Sequence, residues 1–226
     1  MSDDAIAISD LSFRWPGSQT SLQIKQWRLA AGRRCYLHGP SGSGKTTLLN
    51  LLCGLLLPEA GEIRIAGQCL NRMRAQQRDV FRADHIGVIF QQFNLLAHLT
   101  VRENITLPLT FSPARRARAE KNGSRVEALL KALELPVSIA DSPVSALSTG
   151  QQQRIAVARA LIGDPALIIA DEPTSALDDD ARERFLALLF AQVEASGSSL
   201  LFVSHDRRLR PHFDEVVALA DLREGA

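Results

Sequence analysis

Cysteine is scarce, and what there is forms no pattern. The three residues, Cys35, Cys53 and Cys69, are odd in number and show no C-x-x-C spacing. A disulfide framework and a structural zinc site are both poor fits, and a reducing cytosol suits the usage. An excess of charge is missing too: 26 Lys+Arg stand against 25 Asp+Glu. The basic footprint of a nucleic-acid binder is therefore absent, and no nucleic-acid partner is expected. Long hydrophobic runs are lacking. The most apolar stretch, Leu48 to Leu57, is broken by Asn50 and Gly54 and covers roughly half of a membrane span. If the protein acts at a membrane, another chain supplies the spanning helices. The start, Met1-Ser2-Asp3-Asp4, is acidic with no apolar core, so a secretory leader is not expected there. Internal repeats and low-complexity tracts are not found either.

What is present is dominated by one loop. Residues 39–47 read Gly-Pro-Ser-Gly-Ser-Gly-Lys-Thr-Thr, which fits the phosphate-cradling pattern G-x-x-x-x-G-K-[ST]. Gly39, Gly42 and Gly44, interleaved with Pro40, Ser41 and Ser43, let the backbone bend until successive N–H groups point at an anion. Lys45 can reach the outer phosphates. Thr46 offers a hydroxyl to magnesium, which usually takes few protein oxygens plus the phosphates. The run from Thr47 to Leu52 reads as the following helix, whose positive N-terminal end adds to the anion site. Arg34 to His38 reads as the strand that feeds the turn. The expected ligands are a nucleoside triphosphate and Mg2+.

The 226 residues, 46% hydrophobic and 23% charged, suit one large α/β domain or one core with an insertion. Leu22-Gln23-Ile24 and Glu62-Ile63-Arg64-Ile65 alternate, as half-exposed antiparallel strands do. Ile86–Phe90, Ala166–Ala170, Leu200–Val203 and Val216–Leu219 are apolar nearly throughout, which suits parallel strands buried on both faces. Helical patterns lie between them, Ala181–Val193 for one. The expected fold is α/β: a P-loop NTPase core with a mostly parallel sheet, an antiparallel β patch and an inserted helical subdomain. The core takes residues 1–91 and 161–226, and the helical part residues 92–160. Within the latter, the basic stretch Ala114–Arg125 reads as a solvated helix face.

Two further segments carry chemistry. Ala166–Ala170 is followed by Asp171 and Glu172. A carboxylate ending a strand beside a P-loop can hold the magnesium shell, and a second one can polarise water for in-line attack, although the pair also fits a plain strand end. Ser148 and Gln151 form S-x-x-Q, an ordinary capping box that starts the helical run Gln152–Ile162. The same capped N-terminus can bind phosphate.

With these residues in hand, the chain resembles a nucleotide-binding subunit of an ATP-binding cassette (ABC) transporter. The family's pattern occurs in order: the P-loop at Gly39–Thr47, a Q-loop at Phe90-Gln91, the signature at Leu147–Gln151, Walker B at Leu167–Glu172, a D-loop at Ser175-Ala176-Leu177-Asp178, and a switch histidine in Ser204-His205-Asp206. The resemblance spans essentially the whole chain. It implies ATP hydrolysis with Glu172 as general base and with Lys45, Gln91 and His205 in catalytic roles. It implies magnesium at Thr46, Gln91 and Asp171. The nucleotide would lie against the P-loop, Ser148, Gly150, Gln151 and Asp178, with Trp15 stacked on adenine. Thr149 departs from the pattern, which usually has glycine there, and its branched side chain bears on how tightly the site closes.

The resemblance further implies a homodimer when ATP is bound, with one subunit's P-loop and the other's signature on the same ATP. It implies integral membrane permease subunits as partners and a peripheral place on the cytoplasmic side of the cell membrane. Residues 90–100, Glu103-Asn104 and Gly61-Glu62-Ile63 are similar to subunits serving lipoprotein-releasing and macrolide-exporter-type permeases, which implies export or extraction of a lipophilic substrate. Phe93, Leu95, Leu96 and Leu99 are expected to split between the core and an exposed permease-docking groove. A regulatory ATPase that signals mechanically through a membrane partner would use the same motor. A chromosome or repair ATPase would need a long coiled-coil insertion between Lys45 and Ser148, and none is there.

Overall fold

The computed structural model of the protein describes residues 4–17, 19–121, 125–175 and 177–224. In chain order the strands are β1 (Asp4–Arg14), β2 (Ser21–Ala30), β3 (Arg34–His38), β4 (Ala60–Ile65), β5 (Gln68–Cys69), β6 (Ile86–Ile89), β7 (Leu167–Asp171), β8 (Ser199–Val203) and β9 (Glu215–Ala218). The helices are α1 (Lys45–Leu52), α2 (Ala75–His85), α3 (Val101–Phe111), α4 (Pro113–Lys121), α5 (Arg125–Ala132), α6 (Thr149–Leu161), α7 (Asp179–Ser196) and α8 (Leu219–Glu224). Contacts cluster the chain into two units, Met1–Arg82 with Ser199–Ala226, and Ala83–Ser198.

The first unit holds an antiparallel sheet in the order β2-β1-β4-β5. The alternation seen in the sequence is the reason: Leu22, Ile24, Trp27 and Leu29 of β2 are buried, while Gln23, Lys25 and Arg28 are exposed. Beside it, β3 pairs in parallel with β8 and with β9, so that Tyr36 lies opposite Phe202 and Val216. β8 is buried along its whole length. β9 departs from the expected buried strand. Val216 is 45% exposed, because among the described residues β9 pairs only with β3 and so has an open edge. Leu219 already belongs to α8. α1 is short and has no side-chain cap, and a helix of that length is marginal alone. Its buried Leu48, Leu49, Leu51 and Leu52 hold it, each contributing about 1.5–3 kcal/mol.

In the second unit β6 and β7 run parallel, with Ile86 opposite Leu167 and Ile89 opposite Ala170. α6 packs beneath β6 so closely that a Cβ on Gly87 would stand 2.2 Å from the Ala160 carbonyl oxygen. Only glycine fits there. From Ile155 to Leu161 every residue of α6 is buried.

The basic stretch in α4 corrects the sequence reading. Residues 122–124 lie outside the described set, but Arg115 is fully buried rather than solvated. Its guanidinium donates to the carbonyls of Ile162 (2.6 and 2.9 Å) and Ala160 (2.8 Å), and at longer range to Ala83 and Ile86. These are carbonyls at the ends of α6 and α2 and at the start of β6, and the negative helix ends favour a cation there. Arg118 likewise donates to Gly163 and Asp84 carbonyls. Arg116 and Lys121 are exposed, as expected. Burial pulls the Arg115 pKa down to about 10.

Candidate active site

Each unit carries part of the expected site. In the first, β3 ends at His38 and the chain turns through Gly39–Gly44 into α1. Gly44 sits at the helix N-cap with φ 104° and ψ 12°, a left-handed geometry that side-chain-bearing residues adopt at a cost of about 1–2 kcal/mol. The first N–H groups of α1 have no partner within the helix, so the loop presents them at its mouth. Lys45 folds back, its Nζ donating to the carbonyls of Gly39 (2.8 Å) and Pro40 (3.0 Å). Ser41, Gly42 and Thr46 are exposed and Ser43 is half-buried. α8 braces this loop: Arg223 donates to the Ser43 and Ser21 carbonyls.

Trp15 follows the end of β1 and is 48% exposed. Its indole N–H donates to Thr47 Oγ1 at 3.1 Å, and Phe13 meets it edge-on at 5.4 Å. The structure therefore brings Trp15 to the start of α1. His205 is exposed, two residues beyond Val203 of β8. Val203 pairs with Leu37 of β3, so His205 and Gly39 leave the same end of neighbouring parallel strands. Tyr36 Oη donates to the Asp206 carbonyl at 2.8 Å and holds the His205 segment to β3. His38 lies against Arg210, whose Nη2 is 3.0 Å from Nε2. Burial first, then the charges of Arg210, Arg207 and Lys45, lower the His38 pKa, opposed by Asp221.

In the second unit, the register that pairs Ile89 with Ala170 places Gln91 and Glu172 each two residues beyond a paired strand end. Gln91 is exposed, while Asp171 and Glu172 are half-buried. Glu172 has φ 48°, the left-handed region, as strained backbone at functional positions often does. Buried Gln153 donates to the Pro173 carbonyl at 2.6 Å and ties α6 to the segment after Glu172.

The capping box forms as read. Ser148 Oγ accepts from the Gln151 N–H, and the Gln151 side chain accepts from the Ser148 N–H. Thr149 is exposed, and a Cβ on Gly150 would meet nothing within 4 Å. Asp178 caps α7, accepting from the Ala181 N–H at 2.8 Å. Ala176, inside the expected D-loop, lies outside the described residues. In the expected docking segment Leu96 is 37% exposed and Phe93, Leu95 and Leu99 are half-buried.

The sequence reading missed side chains that hold this segment. Buried Asn104 accepts from Leu96 N–H (2.8 Å) and donates to the Leu96, Leu99 and Thr100 carbonyls. Buried Arg159 donates to the Phe93 and Asn94 carbonyls. The signal was there for Arg159, a lone charge in the apolar run Ile155–Leu161.

Oxygen donors on Thr46, Gln91 and Asp171 suit a hard cation such as magnesium. Among the described residues no cluster of three or more His, Cys, Asp or Glu could hold a metal ion by itself.

Comparison with known proteins shows the family and the fold. The family described as "ABC transporter" matches residues 22–175. The lipoprotein-releasing system ATP-binding protein LolD of Chromohalobacter salexigens is 40% identical over 204 residues, 90% of this chain and 84% of that protein. The macrolide export ATP-binding/permease protein MacB 1 of Aeromonas hydrophila subsp. hydrophila is 39% identical over 197 residues, 85% of this chain and 29% of that longer protein. The solved dimer of MJ0796 from Methanocaldococcus jannaschii, in a post-hydrolysis state bound to ADP and Pi, superimposes with a TM-score of 0.78 at 34% identity, covering 94% of this chain and 93% of that one.

Proposed function

The chain belongs to the ABC transporter family as one of its ATP-binding, ATP-hydrolysing subunits, and from that premise we propose that it works as a nucleotide-sandwich homodimer driving a separate membrane permease. The observation that carries this reading is the intact capping box at Ser148. It leaves a second helix start fit for phosphate, besides that of α1, with Ser148, Thr149 and Gly150 at the surface. A chain with two such starts can share each ATP between copies, the P-loop of one and the Ser148 turn of the other. The dimer of MJ0796 supports the arrangement.

Residue roles follow from the chemistry. The N–H groups of Gly39–Thr47 bind the phosphates, and Lys45 exchanges the Gly39 and Pro40 carbonyls for phosphate oxygens. Trp15 stacks on adenine and is aimed by its bond to Thr47. Glu172 accepts a proton from the attacking water, a contribution of about 10²–10⁴ in rate. Gln91 orients that water, and His205 meets the terminal phosphate. Thr46, Gln91 and Asp171 would hold magnesium, which neutralises phosphate charge when bound. Ser148, Gly150, Gln151 and Asp178 complete the nucleotide site. ATP closes the dimer and hydrolysis releases it, a switch between two states of different affinity.

Residues 92–160 act as the signature-bearing helical subdomain on a core of 1–91 and 161–226. Among the described residues no helix is long and apolar enough to cross a membrane. The permease therefore anchors the chain at the cytoplasmic face, with exposed Leu96 in the docking groove. The likeness to LolD and MacB 1 favours export or extraction of a lipophilic or lipoprotein substrate. Glu172→Gln tests the motor: turnover should be abolished, ATP binding kept, and an ATP-bound dimer should accumulate on size exclusion. Wild-type turnover in that variant would overturn the assignment of Glu172, and a monomer with ATP would overturn the sandwich.

A further inference from the structure

The turn that carries Gln91 holds two successive left-handed residues, neither of them glycine. Phe93 N–H donates to the Phe90 carbonyl at 2.9 Å and Asn94 N–H to the Gln92 carbonyl at 2.6 Å. Phe93 (φ 59°) and Asn94 (φ 48°) are successive left-handed residues. Asn tolerates that region, whereas a bulky aromatic is an outlier there. Something must hold it. The buried guanidinium of Arg159 reaches both carbonyls, Phe93 O at 2.5 Å and Asn94 O at 2.7 Å. One planar group with two parallel donors suits adjacent carbonyls, and a lysine ammonium does not reproduce it.

Arg159 stands on α6, and Ser148 caps the other end of that helix. The separation along the axis is about 16 Å. α6 is half-buried from Gly150 to Gln152 and buried throughout from Ile155 to Arg159, and buried Gln153 ties it to the segment after Glu172. We propose that Arg159 is a positioning residue: it locks the Gln91 turn in its strained conformation and makes α6 a rigid rod between the phosphate-binding Ser148 end and the Gln91 turn. This rests on the reading of Gln91 as a residue of the hydrolytic site. Arg159 touches no substrate and acts only through the carbonyls of Phe93 and Asn94.

Arg159→Lys in the full chain tests it. Backbone hydrogen exchange across residues 90–97 should speed up by about tenfold or more, as expected for losing charge-assisted bonds to a locally opening segment. Exchange in the P-loop should not change. kcat for ATP should fall while KM stays near wild type. Phe93→Gly in the same chain, which makes the left-handed turn cheap, should restore much of kcat. A residue with only a bulk structural role would raise exchange throughout and would not be rescued by glycine. Asn94→Pro, which forbids the left-handed turn while keeping Arg159, should reproduce the kcat loss and serves if Arg159→Lys does not fold. Unchanged exchange at 90–97, or normal kcat despite faster exchange, overturns the proposal and leaves the role of Gln91 standing. Wild-type turnover in Gln91→Ala would overturn both.

Discussion

Replacing Arg115 by Met should cost the fold more than any surface change and yet spare nucleotide binding. Met keeps most of the stem length and removes every donor. The Ala160 and Ile162 carbonyls, bonded at 2.6–2.9 Å, then lose their partner in a site where Arg115 is only 2% exposed. Water cannot readily follow. Each orphaned buried acceptor costs about 1–3 kcal/mol. The longer contacts to Ala83 and Ile86, at 3.3 and 3.4 Å, add little. Against this stands relief of the desolvation that has already pulled the Arg115 pKa down to about 10. The net loss should be about 2–4 kcal/mol, which for a chain of this size lowers Tm by roughly 4–16 °C. Arg115→Lys retains a charge and some donors and should lose about half as much. Thermal and urea unfolding followed by circular dichroism measure both. A Met variant within about 0.5 kcal/mol of wild type, the range of an ordinary surface change, would refute the argument that these carbonyls depend on Arg115.

Trp15→Ala should weaken ATP binding by about 1–3 kcal/mol, the usual worth of base–aromatic stacking, with little loss of stability because Trp15 is half exposed; unchanged affinity in a fluorescent-nucleotide titration would leave Trp15 a purely structural residue. Thr149→Gly should shift the ATPase rate modestly, since the Ser148–Gln151 box is untouched, whereas Ser148→Arg removes the cap and fills the phosphate site and should nearly abolish turnover; equal effects would contradict the ranking. Leu96→Glu should reduce co-purification with membranes while leaving ATP affinity intact, and full membrane recovery of that variant would place the docking groove elsewhere.

Sequence and structure contribute differently to this picture. What the sequence settles by itself is chemistry that is complete within a few consecutive residues. The loop Gly39–Thr47 needs only its own glycines, its lysine and the helix that follows. The Ser148–Gln151 cap closes on itself across three residues. Alternation in β2 and the apolar run of β7 declare which faces are buried, because a strand's period is local. Tertiary structure decides everything that depends on convergence from afar. Arg115 reads as solvated because charged residues in a basic helix usually are, yet carbonyls from 83, 86, 160 and 162 meet around it and make burial favourable. Val216 reads as core but lies on an open strand edge, which pairing alone determines. The left-handed turns at Glu172 and Phe93 have no glycine to announce them. What the structure adds at these turns is contact from afar: Arg159 donates to the Phe93 carbonyl, and Gln153 donates to the Pro173 carbonyl next to Glu172.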